Sequence, residues 1–208
     1  MALGTQAKLL LNRVHGRAVF GRRVRVLAGH LATAIPTGGA VLDLGAGDGS
    51  IARAIMALRP DLAFEGVDVM LRPATQIPVS VYDGVTLPFA DGAFDYVTIV
   101  DVLHHTDDPA AVLAEARRVA RHGVIVKDHR LEGVLAGATL RFMDWVGNRG
   151  HDVVLPYNYL SDRQWDGVFT TAGLVRATAN QRLAIYPFPF SLLFDRGLHF
   201  VARLVPAA

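Results

Sequence analysis

No cysteine occurs among the 208 residues. That absence excludes disulfides, thiolate zinc sites and iron–sulfur clusters, and with the last it excludes radical chemistry run from a cysteine-held cluster. No uninterrupted apolar run reaches the roughly 18 residues that suggest a spanning helix. No long apolar core precedes a small-residue cleavage site, so a cytoplasmic protein is expected. Acid is missing from residues 1–35, which carry Lys8, Arg13, Arg17, Arg22, Arg23 and Arg25. The net charge of +2 therefore hides an asymmetry, since the remaining chain holds 15 basic and 19 acidic side chains. Such a start is either a solvated helix face or a basic arm that meets an anionic partner, a carrier-linked ligand or a membrane surface. A transit peptide is set aside because Val24, Leu27, Ala28, Leu31 and Ile35 form a core-type stripe at helical spacing.

What is present describes an ordinary globular chain, 51% apolar and 19% charged, long enough for one domain over 1–208. The N-terminal helix should end near Ile35, before Pro36 and the Gly38-Gly39 turn. Strands are expected over 40–44, 64–69, 79–82 and 94–100, and from 123 onward, with helices over 50–58 and 109–120. Asp108 is the expected N-cap of the latter, with Pro109 in its first position. This alternation implies right-handed crossovers and a mostly parallel sheet. The apolar strand runs agree, because parallel strands are covered on both faces. Beyond Asp128 we expect helices over 135–146 and 161–172. "LVRATA" and "RLAIY" read as an antiparallel edge pair, and 190–205 as a helical tail.

The most informative stretch is "VLDLGAGDGS", residues 41–50. Gly45, Gly47 and Gly49 let the backbone turn sharply after a strand and approach a ligand closely. A dinucleotide pyrophosphate would suit such a loop, but Asp43 and Asp48 would set carboxylates beside it. At a few ångströms, like charges in a partly dry site cost on the order of kcal/mol each. A Walker loop is excluded, because no Gly-Lys-Ser/Thr follows. A ligand that carries an ammonium reverses the sign of the carboxylates' effect.

From about residue 41 to 127 the chain resembles the class I S-adenosylmethionine-dependent methyltransferases, nearest in style to the small-molecule branch of quinone biosynthesis. Asp43, Gly45, Gly47 and Gly49 match that family's acid-x-Gly-x-Gly-x-Gly signature. Asp68 in "FEGVDVM" stands where the family has the acid that grips the ribose hydroxyls. "YDGVTLPFADGAFDYV" and "VDVLHHTDDPAAVLAEARRV" follow in the family's order and style. The resemblance implies a Rossmann-like, doubly wound α/β fold: a mostly parallel seven-stranded sheet, an antiparallel edge pair, and helical cover from the N-terminus and from the segment after the fifth strand. S-adenosylmethionine is the implied cofactor. It would be held by Asp43, Gly45, Ala46, Gly47 and Gly49, with Asp68 on the ribose and Val69 and Met70 flanking the adenine. Asp83 and Gly84 would face the adenine amino group, and Asp101 or its backbone the methionine end.

Methyl transfer from a sulfonium is a direct displacement, so the protein must place a nucleophile in line and exclude water. A general base is needed only where the acceptor holds a proton at neutral pH. His105 and His129 are the candidate bases, while His104 is read as shaping its loop. Residues 131–165 are the expected acceptor cover. Trp145, His151, Tyr157 and Tyr159 are its candidate acceptor-binding side chains, with Phe142, Asn158 and Trp165 alongside. No metal site is expected. "LPYNY" lies in the wrong place for the nucleobase amino-methyltransferase loop, which follows the fourth strand. The expected activity is methyl transfer to a small apolar or ring-bearing acceptor, on oxygen, nitrogen or carbon. The competing readings are a nucleic-acid methyltransferase, disfavoured for lack of an aromatic-interleaved basic surface, and a non-catalytic cofactor-binding protein.

Overall fold

The computed structural model describes residues 21–147 and 158–207. A first helix, α1, covers 21–34. There follow β1 (Gly39–Leu44), α2 (Ser50–Leu58), β2 (Leu62–Asp68), β3 (Val79–Val81), β4 (Phe94–Val100) and a 3-10 turn (Leu103–His105). Next come α3 (Pro109–Val119), β5 (Ala120–His129), α4 (Ala136–Gly147), α5 (Asp162–Thr171), β6 (Leu174–Asn180), α6 (Ser191–Phe194) and β7 (His199–Pro206). The strands form one sheet in the order β3-β2-β1-β4-β5-β7-β6. β1 to β5 run parallel, and β7 lies antiparallel to both β5 and β6. The strand order reverses between β1 and β4, the point where ligands enter open α/β sheets at the strands' carboxyl ends.

The period of two along the strands divides the core into two layers. Leu42, Leu44, Val97, Ile99, Val124 and Val126 face the side covered by α3 and α5, where Leu113, Ala116, Trp165 and Phe169 are buried. Val41, Tyr96, Ile125 and Val201 face the other side, against Leu27, Ala28, Leu31 and Ile35 of α1 and Ala52 and Ile55 of α2. The expected stripe is thus the buried face of α1, with only Val24 left half-buried. Local signals set the helix ends. Asp108 accepts from the amides of Ala110 and Ala111 at 3.0 Å, and Ser161 closes a capping box with Gln164.

The chain departs from expectation after β6. The 182–186 stretch is not a strand: Ala184 has a positive φ of 50°, and the amides of Ile185 and Tyr186 donate to Asp195 instead of to a neighbouring strand. The antiparallel partner of β6 is β7, so the expected helical tail is a strand apart from the single turn of α6. Phe200, Val201, Ala202 and Leu204 are all buried, because β7 lies between two strands and both its faces are covered. No amphipathic helix therefore spans 190–205. No helix among the described residues is long and apolar enough to cross a membrane.

Candidate cofactor crevice and acceptor site

Gly45, Gly47 and Gly49 all take positive φ, 76°, 58° and 72°. Each has its own surroundings. A Cβ on Gly45 would stand 2.3 Å from Val102 Cγ2, and one on Gly49 2.5 Å from Ile77 Cγ1. A Cβ on Gly47 would meet nothing within 4 Å, so this glycine is the one whose backbone faces open space. The amides of Gly45 and Ala46 donate to Val67 O at 2.8 and 3.1 Å, which ties the loop to the end of β2.

Asp68 closes β2 and reaches back to the loop. Its Oδ2 accepts from the Gly47 amide at 2.8 Å and its Oδ1 from the Met70 amide at 3.1 Å. Val69 and Met70 are exposed, and a Cβ on Gly84 would come within 3.2 Å of Val69 Cγ1, so residues 69 and 84 lie side by side. The exposed Asp83 turns its Oδ1 to the amides of Val85 and Thr86, both at 2.8 Å, and these bonds hold its carboxyl below the usual range.

Asp43 is buried beneath the loop and accepts from the Thr98 hydroxyl at 2.8 Å. Burial pushes its carboxyl up to about 7; the Thr98 bond opposes the rise and the charge of Asp68 adds to it. A buried carboxyl beside a second one, with no cation among the causes of its shift, fits a positively charged ligand and opposes a pyrophosphate. The residues present therefore suit S-adenosylmethionine, whose ammonium and sulfonium are cationic.

Asp101, expected at the cofactor's methionine end, makes two ion pairs in the folded chain. It adopts a positive φ of 56°, and both its carboxylate oxygens are engaged, Oδ2 by Arg23 and Oδ1 by Lys127. Burial would raise its carboxyl, yet Lys127 and Arg23, helped by two histidines, hold it well below the usual range. Arg23 is thus spent inside the chain, as is Arg22, which donates to the carbonyls of Ile185 and Ala184. Of the arginines expected to form a free arm, Arg25 alone among 22, 23 and 25 is exposed. Lys8, Arg13 and Arg17 lie outside the described residues.

Beside Asp101 lies a cluster that the sequence reading did not assemble. Asp128 is fully buried and accepts from Leu103 N at 3.1 Å, from His129 N at 2.7 Å and from His104 Nδ1 at 2.7 Å. It therefore pins the turn after β4 to the end of β5. The His129 ring packs edge-on to His104 at 4.6 Å and lies 5.0 Å from His199. Burial, then Lys127, lowers the His129 pKa and keeps its imidazole neutral at pH 7. His105 is half-buried, its ring 4.0 Å from that of His104. Asp101, His104, Asp128 and His129 together offer four donor atoms within 4.8 Å of one another, where no metal ligands were expected.

Tyr159 is the expected acceptor residue that can be placed. It is buried, lies 5.8 Å from the His104 ring and 5.9 Å from His129, and lines a cavity of about 440 Å³ with Leu131, Gly137, Ala138 and Arg141. The side chain of Trp145, and His151 and Tyr157 entirely, lie outside the described residues. Trp165 is fully buried in the core and donates from Nε1 to His129 O at 2.9 Å, so it supports the cluster from behind and does not cover an acceptor.

Comparison with known proteins agrees with this geometry. Residues 42–126 match the methyltransferase domain family. The ubiquinone/menaquinone biosynthesis C-methyltransferase UbiE of Cupriavidus taiwanensis is 28% identical over 141 residues, 59% of this chain and 58% of that protein. The demethylmenaquinone methyltransferase of Roseiflexus sp. is 37% identical over 100 residues, 44% of this chain and 42% of that one. The chain thus matches 58% and 42% of the length of these two curated relatives. An S-adenosylmethionine-dependent methyltransferase from Thermotoga maritima superposes with a TM-score of 0.65 at 19% identity, covering 96% of this chain and 97% of its own. Sheet order, glycine loop and matched span coincide: over residues 42–126 the chain is similar to the methyltransferase domain family, and its sheet has the fold of the S-adenosylmethionine-dependent methyltransferase from Thermotoga maritima.

Proposed function

We propose that this chain transfers a methyl group from S-adenosylmethionine to a small, apolar or ring-bearing acceptor. The observation that carries the reading is the pairing of Asp43 and Asp68 under an open glycine loop, at the sheet's switch point and, among the described residues, without an ion-pair partner of their own. The bound cofactor supplies a methyl group already activated on a sulfonium. The chain's task is then to bind, orient and exclude water. Asp68, whose two oxygens each accept one amide, keeps lone pairs for the ribose hydroxyls. Val69 and Met70 offer apolar surface to the adenine, with Gly84 leaving room beside them. Asp43 offers its charge to the ammonium.

The acceptor's side of the crevice is the cavity by Tyr159, of a size suited to a small molecule. The name of UbiE, a quinone-biosynthesis C-methyltransferase, favours a ring acceptor for this chain too. For an acceptor that must lose a proton, the candidate bases are His129, whose pKa burial lowers, and His105, whose ring lies beside that of His104. For an electron-rich carbon or a free amine, positioning alone is sufficient. The test is transfer of labelled methyl from S-adenosylmethionine into a small-molecule extract, with tRNA, rRNA and DNA as parallel acceptors. Label in an extractable small molecule supports the reading. Label in nucleic acid supports the nucleic-acid alternative, and cofactor binding without any transfer supports the non-catalytic one.

A further inference from the structure

Two chain segments that meet at α4 and α6 turn large apolar side chains outward. We propose that the start and outer face of α4, together with the 188–193 stretch, dock on an anionic phospholipid leaflet, and that the methyl acceptor enters the Tyr159 cavity from that leaflet. The docking surface stands on its own geometry; its use for the acceptor rests on the methyl-transfer reading above.

The first segment opens α4. Val134 and Leu135 are 81% and 70% exposed, and Leu135 holds a positive φ of 60°, an uncommon backbone for leucine that the surrounding fold must impose. Leu135, Thr139 and Phe142 follow i, i+4, i+7 spacing, and the Thr139 amide donates to Leu135 O at 3.0 Å, so the three share one helix face. Phe142 is exposed on that face. The second segment is the turn of α6 with the residues before it. Phe188 is 78% exposed, and Phe190, Leu192 and Leu193 are exposed beside it in the chain. The two segments are joined. The Phe142 and Phe194 rings stack at 6.3 Å, Phe194 stacks in turn on Phe190 at 6.5 Å, and Arg196 Nη2 donates to Thr139 Oγ1 at 3.3 Å. Apolar side chains exposed singly need no explanation, but gathered on packed segments they mark a docking surface.

Charge selects the partner. Between 131 and 143 and between 182 and 196, the exposed charged side chains are Arg141, Arg182 and Arg196. The acids of these stretches are engaged by backbone amides. Glu132 accepts from the Asp162 amide at 2.9 Å, and Asp195 from the amides of Ile185 and Tyr186 at 3.1 and 2.9 Å. An apolar surface edged by basic side chains, with no exposed acid among them, matches anionic headgroups over acyl chains. A second copy of the chain fits less well, because a two-fold contact would set arginines against arginines.

The surface adjoins the acceptor cavity. Gly137, Ala138 and Arg141 of α4 line that cavity, and Leu135, Thr139 and Phe142 lie on the neighbouring face of the same helix. Seating that face on a leaflet sets the cavity at the bilayer surface. An acceptor dissolved among the acyl chains then reaches the cavity without entering bulk water. The acceptor class this selects is a lipid-soluble ring compound.

The experiment mixes the full chain with vesicles of phosphatidylcholine and phosphatidylglycerol in equal parts, or of phosphatidylcholine alone, and measures co-sedimentation at rising lipid. The expected result is binding to the anionic vesicles and at least tenfold weaker binding to the neutral ones. Leu192→Ser with Leu193→Ser should weaken binding to anionic vesicles at least tenfold. Arg182→Gln with Arg196→Gln should weaken it about fivefold for each arginine, and high salt should shrink that difference. Leu58→Ser, at an exposed leucine ending α2, should change nothing. No binding to anionic vesicles, equal binding to neutral ones, or unchanged binding in the leucine pair overturns the proposal. If the leucine pair fails to fold by circular dichroism, Phe188→Ser replaces it, and unchanged binding there refutes the surface. Sedimentation velocity without lipid tests the second copy as occupant: a dimer that either variant dissolves overturns the proposal too. Calorimetry with S-adenosylmethionine separates the two readings. Cofactor binding without vesicle binding removes only the docking surface, and vesicle binding without cofactor binding removes only the methyl-transfer reading.

Discussion

Replacing Asp43 with Asn should make the ligand-free protein more stable and its hold on the cofactor weaker. Burial lifts the carboxyl from 3.8 to about 7, and one unit corresponds to about 1.36 kcal/mol. The ionised group therefore costs the folded chain on the order of 4 kcal/mol above neutrality. The pH window follows from the direction of the shift. The folded pKa lies above the unfolded one, so between about 4 and 7 the folded state binds more protons than the unfolded state. This group's contribution to stability accordingly falls as pH rises through that window and is flat beyond it. Asp43→Asn keeps a side-chain oxygen for the Thr98 hydroxyl and lacks the slope. Its melting temperature should lie near wild type below pH 4 and well above it at pH 8. A cationic ligand favours the ionised carboxyl, so wild-type affinity for S-adenosylmethionine should rise from pH 6 to 8 and binding at pH 6 should release a proton. Calorimetry in two buffers of different ionisation heat reads that proton, and thermal melts read the stability. The reasoning is refuted if Asp43→Asn binds the cofactor at pH 8 as tightly as wild type, or if its melting temperature shows the same pH slope.

Three further outcomes follow from the same geometry. Asp68→Ala should weaken S-adenosylmethionine binding by about 1.5–3 kcal/mol in a folded protein, the range for hydrogen bonds to a charged group, as measured by calorimetry. Gly45→Ala should cost about 1–3 kcal/mol of stability in a denaturant titration, because the new methyl would meet Val102 Cγ2 at 2.3 Å and the backbone is left-handed there. Arg23→Gln should lower the melting temperature by releasing Asp101, whereas Arg25→Gln should leave it unchanged. If the basic segment steers an anionic acceptor, Arg25→Gln lowers kcat/KM only at low salt, since exposed charge is screened within about 8 Å at physiological ionic strength.

The parallel half of the fold was legible because its signals are local. The glycine loop, the apolar runs of β1 and β4, and the Asp108-Pro109 start of α3 each state their structure within a few residues. The C-terminal strands were harder. Leu198, Val201 and Val205 are spaced like a helix face, and only insertion of β7 between β5 and β6 makes a strand the better burial. "RLAIY" has strand composition, but its backbone groups are taken by the side chains of Arg22 and Asp195, more than 150 and about 10 residues away along the chain. The same holds for the site. Asp43 and Asp68 sit in recognisable motifs. In "VKDH" the histidine stands out as a candidate base, while Lys127 and Asp128 belong to no motif of their own. Three polar residues ending a run that is otherwise fully buried were the available signal, since charged groups are rarely buried without partners. Their partners, Arg23, Asp101 and His104, come from other elements and meet them only in the folded chain.

The ligand that the acid-bearing glycine loop accepts decides the chemistry of the crevice. Calorimetric titration of the full chain at pH 8 with S-adenosylmethionine, and separately with NADH, tests it directly. The expected result is one S-adenosylmethionine bound per chain and no heat from NADH. Binding of NADH without binding of S-adenosylmethionine would contradict the reading of Asp43, of Asp68 and of the crevice they form.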